Sequence, residues 1–443
     1  MTARQGARLA AALAPGTVLE LAIEKAVYRG RGLGRVDGRV VLVPRAQPGD
    51  RVRVLVRKSH SGWAEAELVA VLAAAPARRS APCVHAEGCG GCAYQQVGYA
   101  EQLRIKEAIL RESLARAGVA WEGEIHVHGS PERGWRLRAS LHFGVADGGL
   151  RLGFRPEGSR RVWPVEACQQ LSGAMMRTAL AVRDALAGRG ALLSRLRGLD
   201  LLESPEGAAL VATLDTGLAA HEAAELATLG RQLPGLTGFG VECEPRRLQW
   251  LHGAPYAYAS VLGLRVRAHA RSFFQANRFL LEPLVREAIG LVPREGGRVL
   301  DLYSGVGLFA LPLAARDGGE VLAVEHAGSS TEDARWNARQ AGLPVRVVES
   351  GVEPALAALP VQHDERILLD PPRSGAGPAV VDRIASRSPA VIVYVSCDPP
   401  TLARDLARFA GHGYRADAVR LFDLFPDTFH LETIVRLRKL GSL

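Results

Sequence analysis

The sequence predicts a multidomain α/β protein with a small N-terminal β-barrel, a central α+β domain and a C-terminal doubly wound parallel sheet. Its 443 residues are more than one hydrophobic core needs, since domains usually span roughly 100 to 200 residues. Short apolar strands punctuated by Gly, Pro and Asp occupy the first part of the chain, and apolar strands alternating with helix-length segments occupy the last. The length and these two patterns together predict the fold class.

The barrel is predicted over residues 17–72, after an N-terminal tail at 1–16. Apolar residues alternate with basic ones along 51–56, which indicates a strand with one buried face and one exposed basic face. The segment resembles the TRAM domain, an OB-like barrel that binds RNA. The motifs that carry this resemblance lie at residues 28–34, 38–44, 48–50 and 64–68. A barrel that serves only as a spacer is the alternative interpretation.

The net charge and the hydropathy of the chain indicate which kinds of partner it can bind. Basic residues outnumber acidic ones by 55 to 46, giving a net charge of +9 that suits a polyanion. Apolar residues make up 48% of the chain, which excludes wholesale disorder, yet no stretch reaches the about 18 apolar residues that a membrane helix requires. We therefore expect a cytoplasmic protein that has no membrane association and acts as a monomer without an obligate protein partner.

Three of the six cysteines form a cluster after a linker at 73–79. Cys83 and Cys89 are separated by five residues, and Cys89 and Cys92 by two. With Cys168 as a distant fourth ligand, this spacing suits either a [4Fe-4S] cluster or zinc and does not distinguish between them. So few cysteines in so long a chain do not form a disulfide scaffold.

The central domain is predicted from residues 75–94 and 125–265, where strand-like segments alternate with Ala- and Leu-rich helices. Residues 95–117 have helical periodicity, and we expect a helix within 95–124 to pack on the catalytic domain. Arg residues are dense between 133 and 161. They could face phosphates or simply form solvated strand surfaces.

Residues 266–443 contain apolar strands at 298–303, 321–325, 367–370 and 391–396, each followed by a helix-length segment. Ligands of such sheets bind beyond the carboxyl ends of the strands. The first strand delivers Asp301 to a turn with Gly305 and Gly307, and Glu325 ends the next strand, where a carboxylate can bond a ribose hydroxyl. Leu308 replaces the third glycine of a dinucleotide fingerprint, which favours an adenosyl ligand without a pyrophosphate.

The two remaining strands end in residues that can do chemistry. Asp370 precedes Pro-Pro-Arg, a rigid turn that holds the carboxylate at the sheet edge. At this point the domain resembles class I S-adenosylmethionine (SAM) methyltransferases. Cys397 follows the strand at 391–396, and Glu432 begins the closing strand of a predicted antiparallel hairpin. A thiol and a carboxylate would thus face one cleft, although a core cysteine is the base-rate alternative for Cys397.

The combined motifs resemble the RNA uracil-5-methyltransferases, most closely the bacterial 23S rRNA branch. The motifs are Ser-Phe-Phe-Gln at 272–275 with Asn277, the glycine turn at 305–307, Asp-Pro-Pro-Arg at 370–373, Ser-Cys-Asp-Pro at 396–399 and His-Leu-Glu at 430–432. Two departures from the family pattern are Asp398, where Asn is usual, and Ser304, where Cys is common. Neither removes a reacting group.

This resemblance implies that Cys397 adds to C6 of uracil and that Glu432 removes the C5 proton, with His430 as a weaker candidate base. It implies a [4Fe-4S] cluster on Cys83, Cys89, Cys92 and Cys168. It also implies SAM as cofactor, bound by Gln275, Tyr303, Gly305, Gly307, Glu325 and Asp370. RNA, most plausibly rRNA, is the implied partner.

Three other functions are compatible with part of this pattern. A tRNA uracil-5-methyltransferase would share the catalytic motifs, but that branch usually lacks both the barrel and the cysteine cluster. A radical SAM methylthiotransferase would combine a TRAM barrel with an iron-sulfur cluster, but its cysteines are spaced by three and two residues and its barrel is C-terminal. An RNA-binding protein without activity is disfavoured by the intact Cys397 and Glu432.

Overall fold

The computed structural model describes residues 13–119, 121–146, 149–205, 207–243 and 247–439. It divides into two compact units: the first runs to Glu112 and also includes Phe425–His430, and the second comprises Ser113–Leu424 and Leu431–Leu443. Most of the predicted tail at 1–16 lies outside the described residues. Within those ranges, no helix is long and apolar enough to cross a bilayer.

The first unit contains a closed five-stranded barrel in the order β1-β2-β3-β5-β4. Its strands are β1 (Val18–Val27), β2 (Arg31–Val36), β3 (Arg39–Pro44), β4 (Arg51–Ser59) and β5 (Trp63–Ala73). In β4, Val52, Val54 and Val56 are fully buried in the barrel core while the alternate positions face outward, as the sequence pattern predicted. The predicted barrel is confirmed.

One glycine explains part of the motif at 28–34. A side chain at Gly32 in β2 would place its Cβ 2.7 Å from the Ala46 carbonyl oxygen and 2.9 Å from Ile23. Because backbone cannot yield as a flexible side chain does, this close approach requires glycine.

Asp427 organises the rest of the first unit. Helix α1 (Tyr99–Arg116), which confirms the helix predicted at 95–117, carries the buried Gln102. Gln102 Nε2 donates to Asp427 Oδ1 at 2.9 Å, and Arg79 donates to the same oxygen at 3.2 Å. The Asp427 carbonyl accepts from the backbone N–H groups of Ala93 and Tyr94. The segment Phe425–His430 is therefore bonded to the residues that follow the cysteine cluster.

The second unit contains two large sheets. The first is a seven-stranded sheet in the order β13-β12-β11-β10-β7-β8-β9. Its strands are β7 (Arg138–Ala146), β8 (Gly149–Phe154), β9 (Trp163–Pro164), β10 (Leu196–Ser204), β11 (Gly207–Leu214), β12 (Leu236–Cys243) and β13 (Arg247–Gly253). Helices α2 (Gly173–Ala187), α3 (Gly190–Leu193) and α4 (Ala220–Gln232) accompany it, and α2 and α4 share its apolar core. The sheet and its helices lie within the predicted range 125–265, whereas 75–94, which was predicted to belong to the same domain, is part of the first unit.

A hairpin of β14 (Tyr256–Val261) and β15 (Leu264–His269) leads to the second large sheet. That sheet has eight strands in the order β18-β17-β16-β19-β20-β22-β21-β6. Its strands are β6 (His126–His128), β16 (Val299–Leu302), β17 (Val321–Glu325), β18 (Val345–Glu349), β19 (Arg366–Leu369), β20 (Val391–Ser396), β21 (Tyr414–Phe422) and β22 (Glu432–Lys439). The sequence did not predict β6, which adds to the edge beside β21.

Helices α5 (Leu281–Gly290), α6 (Ala310–Asp317), α7 (Gly328–Ala341), α8 (Val352–Ala358), α9 (Gly377–Ser386) and α10 (Pro399–Gly411) connect or precede these strands. Strands β16, β17, β19 and β20 are buried along their whole length, which is why they read as continuous apolar runs. They are parallel, whereas β22 runs antiparallel between β20 and β21. The predicted parallel sheet with a closing antiparallel hairpin is confirmed.

Candidate active site

A cleft opens beyond the carboxyl end of β16. Its lining residues come from the segment after β15, from the turn after β16 and from the end of β19, and they are Phe273, Phe274, Gln275, Tyr303, Ser304, Gly305, Val306, Leu308, Phe309 and Asp370. Parallel strands that end at one edge leave such a cleft where neighbouring connections diverge. The structure thus brings together Gln275, Tyr303, Gly305 and Asp370 of the predicted cofactor residues.

The turn after β16 has unusual backbone geometry. Tyr303 has φ +61°, a left-handed conformation that costs free energy for a residue with a side chain. Gly305 and Gly307 also have positive φ, at +54° and +87°, which glycine adopts without strain. The turn is fixed by hydrogen bonds from Ser304 N to Val324 O and from Gly307 N to Ser304 O.

Glu325 holds this turn from the next strand. Its Oε2 accepts from Gly305 N at 3.0 Å, and its Oε1 accepts from the N–H groups of His326 and Ala327, both at 2.8 Å. Glu325 and Gly307 support the cleft but are not among the residues that line it. Their predicted contact with the cofactor stays a prediction.

Several buried carboxyl groups lie near one another at this edge. Gln275 Nε2 donates to Asp370 Oδ2 at 3.4 Å, while burial raises the pKa of Asp370 to about 7. The fully buried Asp301 has a pKa well above its usual value, first because of burial and also because of Asp370 and Glu325 nearby. A cationic ligand would offset these charges.

Cys397 and Glu432 lie at the ends of two paired strands. In the β20–β22 ladder Ser396 pairs with Thr433, and these two residues directly adjoin Cys397 and Glu432. Burial, together with the charges of Glu432 and Asp370, raises the pKa of the Cys397 thiol to about 12, and Arg373 opposes the shift. The pKa of Glu432 is also raised well above its usual range by burial and by Asp370.

Helix α10 begins directly after Cys397. Asp398 is its N-cap residue, and its Oδ1 accepts from Thr401 N at 3.0 Å. Pro399 occupies the first turn, where its missing N–H costs no hydrogen bond. The positive end of the helix dipole therefore lies next to the thiol, where it favours the thiolate.

The loop after Asp370 is anchored by a residue that sequence reasoning missed. The buried Asp405 of α10 accepts from Tyr394 Oη and from Ala376 N, both at 2.8 Å at its Oδ2. Burial, followed by the Asp405 charge, raises the pKa of Tyr394. Asp405 follows no motif, and only its position six residues after a helix N-terminal proline could have pointed to it.

His430 lies in the first unit, while Cys397 and Glu432 lie in the second. Its ring packs against Phe429, with centroids 4.1 Å apart, and against Phe425 at 5.6 Å. These contacts are those of a packed aromatic cluster. Glu432, whose charge acts on the Cys397 thiol, is the stronger candidate for a base.

The four predicted metal ligands are all in the described part of the chain. Cys83, Cys89 and Cys92 belong to the first unit and Cys168 to the second. Across residues 13–119 and the other described ranges, no group of three or more His, Cys, Asp or Glu side chains is arranged to hold a metal ion. The structure therefore does not assemble the metal cluster predicted for the central domain. Cys243 is buried in the core of the seven-stranded sheet.

The arrangement suits SAM as a ligand. The Ser304 hydroxyl lines the cleft, is buried, and has no hydrogen-bond partner among the described residues, so it is available to a polar ligand. Asp370 supplies negative charge opposite a sulfonium, and the glycine turn allows backbone to approach the ligand closely. The residues present therefore fit an adenosyl sulfonium.

Comparison with known proteins gives the same result. The family model described as tRNA (Uracil-5-)-methyltransferase matches residues 358–440, and the TRAM domain model matches residues 13–69. The chain is 34% identical to the 23S rRNA (uracil(1939)-C(5))-methyltransferase RlmD of Chromohalobacter salexigens, covering 95% of this chain and 89% of the relative. It is 33% identical to the protein of the same name from Pseudomonas fluorescens, covering 95% and 94% of the two chains.

Among solved structures, the tRNA (uracil-54, C5)-methyltransferase of Pyrococcus abyssi, in complex with S-adenosyl-L-homocysteine, has the same fold. The TM-score is 0.73 with 24% sequence identity, over 95% of this chain and 100% of that one. The cleft at the strand ends, the matched family models and the relatives above 30% identity agree. The chain belongs to the RNA uracil-5-methyltransferase family.

Proposed function

We propose that this protein transfers the methyl group of SAM to C5 of a uridine in 23S rRNA, with Cys397 as nucleophile and Glu432 as base. The observation that carries the proposal is that Cys397 and Glu432 adjoin the Ser396–Thr433 pair of one sheet and that the charges of Glu432 and of the cleft residue Asp370 both act on the Cys397 thiol. The names of the bacterial relatives support 23S rRNA as the substrate.

Cys397 has to activate the base first, because C5 of uracil is too weak a nucleophile to accept a methyl group. Its thiolate adds to C6, and the electron pair of the C5–C6 double bond moves to C5 and the O4 carbonyl. The thiol must lose its proton for this step, although burial raises its pKa to about 12. Arg373, the α10 N-terminus and the positive charge of a bound sulfonium favour the thiolate.

SAM supplies the methyl group, activated by its positively charged sulfur. Gln275, Tyr303, Ser304, Gly305 and Asp370 line the cleft that would hold it. Gln275 donates a hydrogen bond to Asp370, so the carboxylate is oriented before the ligand binds. Glu325 and Gly307 would act by fixing the turn and, for Glu325, by reaching a ribose hydroxyl.

Glu432 completes the reaction. After methylation, C5 carries both a methyl group and a proton, and the carboxylate of Glu432 removes the proton. The electron pair of the C5–H bond restores the C5–C6 double bond, the bond from C6 to Cys397 breaks, and the thiolate leaves. The raised pKa of Glu432 makes its carboxylate a stronger base than an exposed glutamate. Because C5 and C6 lie within a base stack, the uridine must be flipped out or unpaired.

A methyl-transfer assay tests this function. The full-length protein is incubated with tritiated SAM and with unmodified 23S rRNA or tRNA transcripts, and the product nucleosides are separated. We expect 5-methyluridine in 23S rRNA. Label in tRNA alone would favour the tRNA branch, and no transfer to C5 of any uridine would overturn the proposal. Because rRNA is cytoplasmic, we expect the protein to act in the cytoplasm. Light scattering tests the separate expectation that the protein is a monomer.

We further propose that an iron-sulfur cluster is bound by Cys83, Cys89, Cys92 and Cys168. Its support is the ligand spacing and the family resemblance, and we assign the cluster no step in the reaction. Protein purified without air should contain about four iron and four sulfide per chain, and Cys83→Ser should lose both. Cys243→Ser is the matched control. Stoichiometric zinc, or no metal, would reject the cluster.

A further inference from the structure

Two of the buried polar side chains of helix α7, those of Asp333 and Asn337, lie on one face of the helix. They are four residues apart, so they lie one helical turn from each other, and each is about 1% exposed. Buried polar groups are costly unless they are fully hydrogen-bonded. Both residues meet this condition through segments that build the cofactor cleft.

Asp333 accepts hydrogen bonds from the strand and loop that lead to one wall of the cleft, formed by Phe273–Gln275. Its Oδ1 accepts from Arg267 Nε at 2.8 Å. Its Oδ2 accepts from His269 N at 2.6 Å and from Ser272 Oγ at 2.8 Å. Ser272 directly precedes Phe273, Phe274 and Gln275, which line the cleft. One carboxylate thus fixes the chain just before this wall.

Asn337 joins that wall to the glycine turn after β16. Its Oδ1 accepts from Arg267 N at 2.8 Å, and its Nδ2 donates to Arg267 O at 2.9 Å. The same Nδ2 donates to Val306 O at 3.0 Å, within the glycine turn after β16. A single amide therefore connects β15, which leads to the lining residues Phe273–Gln275, with the glycine turn, which supplies other lining residues.

Arg267 is held rigidly between these contacts. Its guanidinium lies 4.0 Å from the ring centroid of Tyr256 and 4.5 Å from that of Trp336. Stacking on two rings and pairing with Asp333 restrict the side chain on three sides. Neither Asp333 nor Asn337 is among the lining residues, so both would act on a ligand through the backbone that they hold.

We propose that Asp333 and Asn337 are positioning residues that set the distance between the two walls of the SAM cleft. This inference rests on the proposed function, because it assigns the cleft to SAM. The alternative is an ordinary contribution to core stability. The two roles differ in one respect: a stabilising residue changes the folded fraction, whereas a positioning residue changes the affinity of the folded protein.

Asn337→Asp tests the amide with almost no change in volume. It keeps an acceptor for Arg267 N but places a second acceptor against the carbonyls of Arg267 and Val306. We expect S-adenosylhomocysteine to bind roughly tenfold more weakly or worse, since two buried acceptors lose their donor. The KM for SAM should rise in parallel, while kcat at saturating SAM stays within about threefold.

Ser272→Ala is the milder second variant, since it removes only one donor to Asp333, and it should weaken binding about two- to fivefold. Ser386→Ala is its control, because that exposed hydroxyl donates only to Arg383 O at the end of α9. Calorimetric titration of the folded proteins gives the dissociation constants. Unchanged affinity in Ser272→Ala together with unchanged affinity in a folded Asn337→Asp would overturn the inference. Should Asn337→Asp fail to fold, Ser272→Ala alone decides.

The wild-type titration separates the two hypotheses. A wild-type protein that does not bind S-adenosylhomocysteine would refute the assignment of the cleft to SAM. A wild-type protein that binds it as tightly as the Asn337→Asp and Ser272→Ala variants would refute only the positioning role.

Discussion

Cys397 and Glu432 lie at adjacent ends of two antiparallel strands: Cys397 directly follows Ser396, Glu432 directly precedes Thr433, and Ser396 pairs with Thr433 in the β20–β22 ladder. Residues directly opposite in such a ladder have Cβ atoms roughly 4.5 to 5.5 Å apart and point to the same face. If the register continued by one position, it would bring the thiol and the carboxylate to one side of the sheet, and the charge of Glu432 does act on the thiol.

Replacing the thiol should separate binding from chemistry. We expect Cys397→Ala to lose methyl transfer while still binding S-adenosylhomocysteine, because the residues that line the cleft remain intact. Titration of the variant and a tritium-transfer assay measure the two properties. Cys243→Ala is the control, since this cysteine is buried in a different core and should leave turnover measurable. Methyl transfer by Cys397→Ala at the wild-type rate would exclude the nucleophile.

Replacing the base should stop the reaction after methylation. In Glu432→Gln the C5 proton cannot leave, so the bond between Cys397 and C6 persists and the protein stays attached to RNA. A denaturing gel with labelled RNA should show a shifted band that contains the transferred methyl group. The exposed Glu320→Gln provides a control for removing one carboxylate. A variant that turns over normally and gives no shifted band would assign the base to another group.

The ionisation of Cys397 should respond to its charged neighbours in opposite directions. Glu432 raises the pKa of the thiol and Arg373 lowers it. We therefore expect iodoacetamide to alkylate Cys397 faster at pH 8–9 in Glu432→Gln and more slowly in Arg373→Ala, since only the thiolate reacts. Mass spectrometry of the Cys397 peptide gives both rates. The same change in both variants would mean that accessibility, not charge, controls the reaction.

The reactive strand ends could be predicted from sequence because each follows a continuous apolar run. Two of these residues, Asp370 and Cys397, directly follow such a run, and Asp301 lies within one. Parallel strands end at a common edge of the sheet. The sequence predicts that Cys397 and Glu432 share a cleft, but it does not predict how their two strands pair. Their register depends on how β22 pairs with β20, which no local pattern specifies.

The supporting residues could not be predicted in the same way. Asp333, Asn337 and Asp405 lie on helices whose local sequence gives no sign that they are buried acceptors or donors. Their partners outside these helices are 11 to 70 positions away in the chain. Such contacts follow from tertiary packing, which a single sequence does not reveal. The edge strand β6, at three residues, is likewise too short to show a pattern.

Asp370 should make stability depend on pH. Its pKa is raised from 3.8 to about 7, so the folded protein binds a proton that the unfolded chain has released. The stabilisation from this proton is complete below pH 4 and is lost as pH rises through 7. Asp370→Asn removes the effect, so its Tm relative to wild type should increase between pH 4 and pH 7. Thermal unfolding at both pH values measures the difference, and a constant difference would contradict the raised pKa.

Asp427 should control local opening in the first unit. Its carboxylate accepts from Gln102 and Arg79, and its φ of +63° suits asparagine better than alanine. Asp427→Ala should leave the buried Gln102 amide with one partner fewer, which costs about 1 to 3 kcal/mol. Asp427→Asn should lose less, because it keeps an oxygen acceptor and tolerates the backbone conformation.

Hydrogen exchange of the peptide 93–102 measures this effect directly, since the N–H groups of Ala93 and Tyr94 donate to Asp427 O. We expect exchange to accelerate roughly tenfold or more in Asp427→Ala and less in Asp427→Asn. Asp417→Ala is the control, because that half-exposed carboxylate pairs with Arg436 and Arg438 in the second unit. Equal acceleration in Asp417→Ala and Asp427→Ala would mean that the exchange reports global stability. If Asp427→Ala leaves the amides of this peptide as protected as in the wild type, the backbone contacts, and not the carboxylate, hold Phe425–His430 in place.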